Sequence, residues 1–302
     1  MTQQYQYFIL NVFSDDGIDG GNQLAVVPNA HDLTESEMQK ITKQFNFSES
    51  SFVVKNTDDH AKVRIFTPSR EIAYAGHPTV GTLHVLETIH QREGNQPRSQ
   101  VEIELKGGTV QGEIVSDKIG ISFVGFSQKL ANKVGKYTDK SRLAELIGVN
   151  QENIIGHEFS IYAVTSMKFL IVELSDVKAV KNAKPNLQAL VEKEFKEEDM
   201  CVFIYCKGGL KGGNFKTRFF VPLYGIAEDP ATGGVQSSFC LALLQAGYLK
   251  DNTVNEIIVE QGDEIGRPSK IYDKIEVKEG NLKSVVTGGN CYYFADGVLF
   301  VD

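Results

Sequence analysis

No stretch of the 302-residue chain approaches the run of about 20 apolar residues that a membrane helix needs. Nor is there a basic block or an arginine–aromatic stripe, and the formal net charge is −8, which argues against a nucleic-acid partner. The start, Met1-Thr2-Gln3-Gln4-Tyr5, lacks a basic segment running into an apolar one. No secretory signal is therefore expected, and the cytoplasm is the default location. Cysteine is scarce: Cys201, Cys206, Cys240 and Cys291 form no Cys-x-x-Cys pair. Cys201 and Cys206 would face opposite sides of one strand, and all four read as small hydrophobes rather than redox or metal groups. His-x-x-x-His spacing, a Gly-x-Ser-x-Gly elbow and a Gly-Lys-Ser/Thr phosphate loop are all missing. A metal centre, a serine hydrolase and a nucleotide site are disfavoured accordingly.

What is present is a repeat. Arg64-Ile65-Phe66-Thr67-Pro68, then Ala75-Gly76-His77-Pro78 and an apolar run to Leu86, is echoed by Arg218-Phe219-Phe220-Val221-Pro222, then Glu228-Asp229-Pro230-Ala231-Thr232-Gly233 and a run to Leu244. The offset is 154 at the arginines (218 − 64) and 152 at the prolines (230 − 78), as if the second copy had lost two loop residues. Two copies predict a duplicated domain rather than a solenoid, and 302 residues accommodate two domains of about 150. The expected division is residues 1–128, residues 129–288, and a terminal strand over 289–302 returning to the first domain.

Thr34-Glu35-Ser36-Glu37 reads as a capping box, with a helix following to about Phe45. Alternating strands are expected over Phe52 to Lys55, Lys62 to Phe66, Gln100 to Lys106, Thr109 to Val115 and Lys118 to Val124. The helix after His77-Pro78 is apolar nearly all round, so strands should wrap it. Gln128 to Ser141 is polar and unpatterned and predicts the boundary. Beyond it come helices over Ser141 to Ile147 and Asn186 to Phe195, and a second central helix from Pro230 to about Gln245. Gly20-Gly21 reads as a loop needing positive φ. Lys207-Gly208-Gly209-Leu210-Lys211-Gly212-Gly213-Asn214 looks like a phosphate cradle but lacks its ending, so a hairpin loop is expected there.

Proline fits the first position of a helix, where its missing amide is no loss. His77 and Asp229 then stand beside a helix mouth, whose unpaired amides and dipole attract anions. If the two copies face each other, both mouths open on one cleft able to hold a carboxylate. Each residue also has a plainer reading, His77 as a structural histidine and Asp229 as an N-cap. Glu49, a lone carboxylate between Phe47 and Phe52, is placed where burial would suit it to acid and base work in turn.

Asn11-Val12-Phe13, Gly21-Asn22-Gln23-Leu24-Ala25-Val26, Ser48-Glu49-Ser50-Ser51-Phe52-Val53, Ala75-Gly76-His77-Pro78, Glu228-Asp229-Pro230-Ala231-Thr232-Gly233, Gln261-Gly262 and Gly266-Arg267-Pro268-Ser269 together resemble the phenazine-biosynthesis isomerase (PhzF-like) family. That family shares the diaminopimelate epimerase fold. The resemblance implies an α+β protein of two pseudo-symmetric domains, each a barrel-like, mostly antiparallel sheet around a central helix. It implies isomerisation of a small carboxylate without cofactor or metal, Glu49 moving the proton and His77 and Asp229 assisting. Substrate contacts would come from Asn22, Ser48, Gly76, Gly233 and Gly234. Gln23 departs from a proline common in the family, and Gly234 from a serine of the phenazine enzymes. A homodimer is compatible with this reading, as are two rivals: an amino-acid epimerase or racemase, and a binding protein without catalysis.

Overall fold

The computed structural model describes residues 2–117, 120–165 and 167–302. Lys118 and Ile119, which open the strand expected to Val124, lie outside the described residues; the strand itself is Ile121–Ser127. The chain divides into two compact units, Met1–Ser127 with Thr287–Asp302, and Gln128–Val286.

In the first unit, strand Gln3–Val12 lies between Asn22–Val27 and Cys291–Val301, antiparallel to both. Asn22–Val27 runs parallel to Glu49–Asn56, which pairs antiparallel with His60–Phe66. That strand is parallel to Gln100–Leu105, which continues antiparallel into Gly108–Ser116 and Ile121–Ser127. Helix α1 (Glu35–Phe45) begins on the expected capping box, both of whose hydrogen bonds are made, between Thr34 and Glu37. Its apolar face, Met38 and Ile41, packs with Tyr5, Val27, Phe52 and Phe66.

Helix α2 (Gly76–Arg92) is buried on every side from Gly76 to Glu87. Val80, Leu83, Val85 and Leu86 are the cause, each contributing about 1.5–3 kcal/mol on burial. Gly81 sets how closely the helix meets the sheet: a Cβ there would stand 2.5 Å from a Leu24 methyl and 2.8 Å from one of Val12. Glu87, buried without exposure, is answered by the Arg98 guanidinium at 2.8 Å, the Arg98 amide at 3.0 Å and Gln91 at 2.8 Å. Pro78 is the third helical residue, not the first. It is tolerated there because the first four helical amides have no partner within the helix.

The second unit repeats the pairing order. Asn132–Tyr137 pairs antiparallel with Phe159–Ala163, and that strand with Lys168–Glu173. Lys168–Glu173 runs parallel to Met200–Lys207, which pairs antiparallel with Phe215–Val221. Phe215–Val221 is parallel to Thr253–Gln261, and Thr253–Gln261 antiparallel to Ser269–Lys278. Asn132–Tyr137 thus holds the place that Cys291–Val301 holds in the first unit, inside the stretch expected to be an unstructured boundary. Helices α3 (Lys140–Ile147), α4 (Val177–Asn182) and α5 (Lys193–Glu198) lie over one apolar cluster that includes Leu143, Val180, Phe195 and Val202. The helix expected from Asn186 is instead a single turn, Ala189–Val191, followed by α5.

The repeated Arg-x-Phe motif has one physical meaning in both units. Residues i and i+2 of a strand share a face, so Arg64 lies over the Phe66 ring at 5.2 Å and Arg218 over Phe220 at 5.0 Å. Each guanidinium then pairs with an acid on the next short strand, Arg64 with Glu71 at 2.7 Å and Arg218 with Glu228 at 2.8 Å. The arginine-to-acid spacing is 7 residues (71 − 64) in one unit and 10 (228 − 218) in the other. The second connection is therefore three residues longer, not two shorter. Helix α6 (Gln236–Gln245) accordingly starts late, six residues after Pro230, and Asp229 ends the strand Ile226–Asp229 opposite Phe219.

The glycine-rich Lys207–Asn214 stretch is a hairpin loop, and its anion is internal. The Glu260 carboxylate accepts from the amides of Leu210 at 2.5 Å and of Lys211 and Gly213 at 2.7 Å. A Cβ on Gly209 or Gly213 would fall 2.6 or 2.7 Å from that side chain. No helix among the described residues is long and apolar enough to cross a membrane.

Candidate active site

In the first unit, three elements bring four polar side chains together. Gly21, at φ 76°, turns the chain so that Asn22 opens its strand facing the start of α2. Parallel pairing sets Leu24 beside Glu49 and so carries Ser48 and Glu49 to the same end. The Asn22 carbonyl oxygen accepts from Ser48 Oγ at 3.1 Å, and its amide nitrogen meets His77 Nδ1 at 3.2 Å. Whichever way the Asn22 amide is turned, Nδ1 is the ring nitrogen held by the strand and Nε2 the one turned toward Glu49.

His77 Nε2 stands 3.5 Å from Glu49 Oε2, the two side chains being 5% and 15% exposed. Nε2 is buried and has no hydrogen-bond partner among the described residues. Burial holds the His77 imidazole well below its ordinary range, at about 3, against a backbone hydrogen bond at Gln23 that favours protonation. Burial outweighs that hydrogen bond. His77 is therefore a neutral imidazole near pH 7, and Glu49 is the member of this group suited to carrying a proton.

In the second unit, Asp229 is 7% exposed at its strand end, and its Oδ2 accepts from Thr232 Oγ1 at 2.5 Å. Gln261, without exposure, donates to the Asp229 carbonyl at 2.7 Å and to Thr232 Oγ1 at 2.9 Å. The Gly233 carbonyl accepts from Gln128 Nε2 at 2.7 Å and lies within the turn that leads into α6. None of the four cysteines stands at the start of α2 or α6; Cys240, inside α6, is fully buried and its thiol is pushed well above the usual range by desolvation. Among the described residues no three His, Cys, Asp or Glu side chains converge to hold a metal ion.

The profile of the phenazine biosynthesis-like protein family matches residues 10–297. The chain belongs to this family of isomerases. It is 28% identical to the trans-2,3-dihydro-3-hydroxyanthranilate isomerase of Pseudomonas fluorescens, over 98% of this chain and 99% of that one. It is 29% identical to an uncharacterised isomerase of Mesorhizobium japonicum, over 99% and 100%. The fold is that of a PhzF-family phenazine biosynthesis protein from Bacillus anthracis, at a TM-score of 0.86 and 23% identity, with 99% and 100% of the chains covered. A hydroxyproline epimerase from Agrobacterium vitis, solved with trans-4-hydroxy-L-proline, shares the fold at a TM-score of 0.63 and 12% identity, with coverage of 99% and 93%.

Of the residues singled out from the sequence of this family member, the first unit gathers Asn22, Ser48, Glu49 and His77, with Gly76 as the first residue of α2. The second holds Asp229 at the end of its strand, and Gly233 and Gly234 on the loop before α6. The plainer reading of Asp229 as an N-cap does not stand, because Val235 occupies that position. Thr232 and Gln261 carried no role in the sequence reading. The available signal was the Gln261-Gly262 pair closing a strand, a place where glycine marks a tight approach.

Proposed function

We propose that this isomerase works without a cofactor, on a small carboxylate, by taking one proton from carbon and returning it elsewhere on the same molecule. Glu49 carries the proton. His77 and Asp229 assist. Amides at Gly76 and Gly233, with Asn22, Ser48 and Gly234, hold the substrate. The reading rests on the buried Nε2 of His77, which has no hydrogen-bond partner among the described residues and faces the Glu49 carboxylate at 3.5 Å. A buried polar atom left unanswered costs about 1–3 kcal/mol, and a polar group of the substrate would answer it. A two-thiol racemase is disfavoured because neither helix start carries a cysteine.

The test is exchange of substrate C–H hydrogen with deuterated water, read by proton NMR. The panel is trans-2,3-dihydro-3-hydroxyanthranilate, trans-4-hydroxy-L-proline and other small carboxylic acids. The expected result is isomerisation of one panel member, the moved hydrogen either retained or replaced by one deuteron, in protein stripped with chelator. Two or more deuterons incorporated per turnover, or activity lost on stripping, would overturn the mechanism.

A further inference from the structure

The amide of Gln261 can be oriented in only one way. Its Nε2 lies 2.7 Å from the Asp229 carbonyl, which can only accept, and its Oε1 lies 3.3 Å from the Thr232 amide, which can only donate. A flipped side chain would set oxygen against oxygen and N–H against N–H. The second Nε2 hydrogen goes to Thr232 Oγ1 at 2.9 Å. A hydroxyl has one proton, so with Gln261 donating to it, Thr232 directs that proton to Asp229 Oδ2, 2.5 Å away.

We infer that Gln261 is a positioning residue, setting the direction of a hydrogen-bond chain from Gln261 through Thr232 to Asp229. The backbone after it reinforces the clamp. Gly262, at φ 86°, comes so close that a Cβ would sit 2.6 Å from the Pro230 carbonyl. Charged groups on the neighbouring elements are engaged with one another. Glu228 pairs with Arg218 at 2.8 Å, and Lys216 pairs with Asp263 at 2.6 Å and Glu264 at 3.0 Å. Arg267 follows in the Gly262 turn, where its amide donates to the Gly262 carbonyl. Asp229 is thereby presented as an acceptor with one oxygen fixed. This deepens the role given to Asp229 above, and its test needs no substrate.

The experiment is a carbon-13 NMR titration of the Asp229 carboxyl in the whole protein, assigned by loss of the signal in Asp229→Asn. A hydrogen bond to the charged form lowers a carboxyl midpoint. Thr232→Val should therefore raise that midpoint by about one unit, a tenfold change in proton affinity. Gln261→Met should raise it comparably, Thr232→Ser should leave it in place, and the Thr232→Val, Gln261→Met double variant should go no higher than Thr232→Val alone. If Gln261→Met does not fold, Gln261→Asn, too short to reach Thr232, takes its place with the same outcomes. A midpoint unmoved in folded Gln261 variants, whatever their melting temperature, would overturn the inference. Loss of isomerisation with this titration intact would instead count against the function proposed for the site.

Discussion

Acidification should unfold this protein in part through His77. The unfolded side chain takes a proton as pH falls through its ordinary value near 6.5, whereas the folded one resists until about 3. Its stabilising contribution is thus whole above pH 6.5 and is lost progressively below. A gap of 3.5 units (6.5 − 3) sets a limit of about 5 kcal/mol at low pH, and the part lost between pH 7 and 5 is about 2 kcal/mol. That is a large share of a typical stability of about 5–15 kcal/mol. His84, held at about 4 by burial, adds a loss of the same sign and similar size. Urea unfolding of wild type and His77→Gln at pH 7 and 5 separates the two. Wild type should lose about 4 kcal/mol from the pair and the variant about 2, His84 alone remaining. Equal losses, or an NMR titration placing folded His77 near 6.5, would refute the argument.

Two further outcomes follow from packing and from the loop. Gly81→Ala, forcing a methyl to 2.5 Å from Leu24, should cost about 1–3 kcal/mol in chemical denaturation; no change would mean α2 shifts freely on its sheet. Glu260→Gln keeps one acceptor but turns an NH2 toward the three loop amides, and should cost about 2 kcal/mol in the same assay. An unchanged transition would show that these amides are content with water.

The sequence was most legible where its signals are local. The Thr34–Glu37 box, the all-round apolar helix after His77 and the alternating strands depend on neighbours within a few residues, and they lie where expected, save that the last of those strands runs Ile121–Ser127. It was least legible where a distant residue decides. Asp229-Pro230 carries the signature of a helix start, yet strand pairing with Phe219 and the hydrogen bonds of Gln261, 32 residues on, hold Asp229 in a strand. The glycines after Lys207 have the composition of an anion cradle, and only the fold reveals that Glu260 fills it. Asn132–Tyr137 was missed because Lys133 and Lys136 interrupt the apolar alternation that marks a half-buried strand. Asn22 and Ser48 entered as substrate contacts through family resemblance. That Asn22 sets the His77 ring was not readable from spacing, since 55 residues separate them.

If Glu49 carries the proton, Glu49→Gln removes the carrier and little else. The substitution keeps the shape and one acceptor facing His77 but cannot take a proton. The measurement is the rate of isomerisation and of solvent-deuterium incorporation for whichever carboxylate the wild-type enzyme turns over, with the melting temperature as a check on folding. Both rates should fall together by about 10²–10⁴-fold in a protein that melts as wild type does. A Glu49→Gln protein that isomerises and exchanges at the full rate would contradict the account.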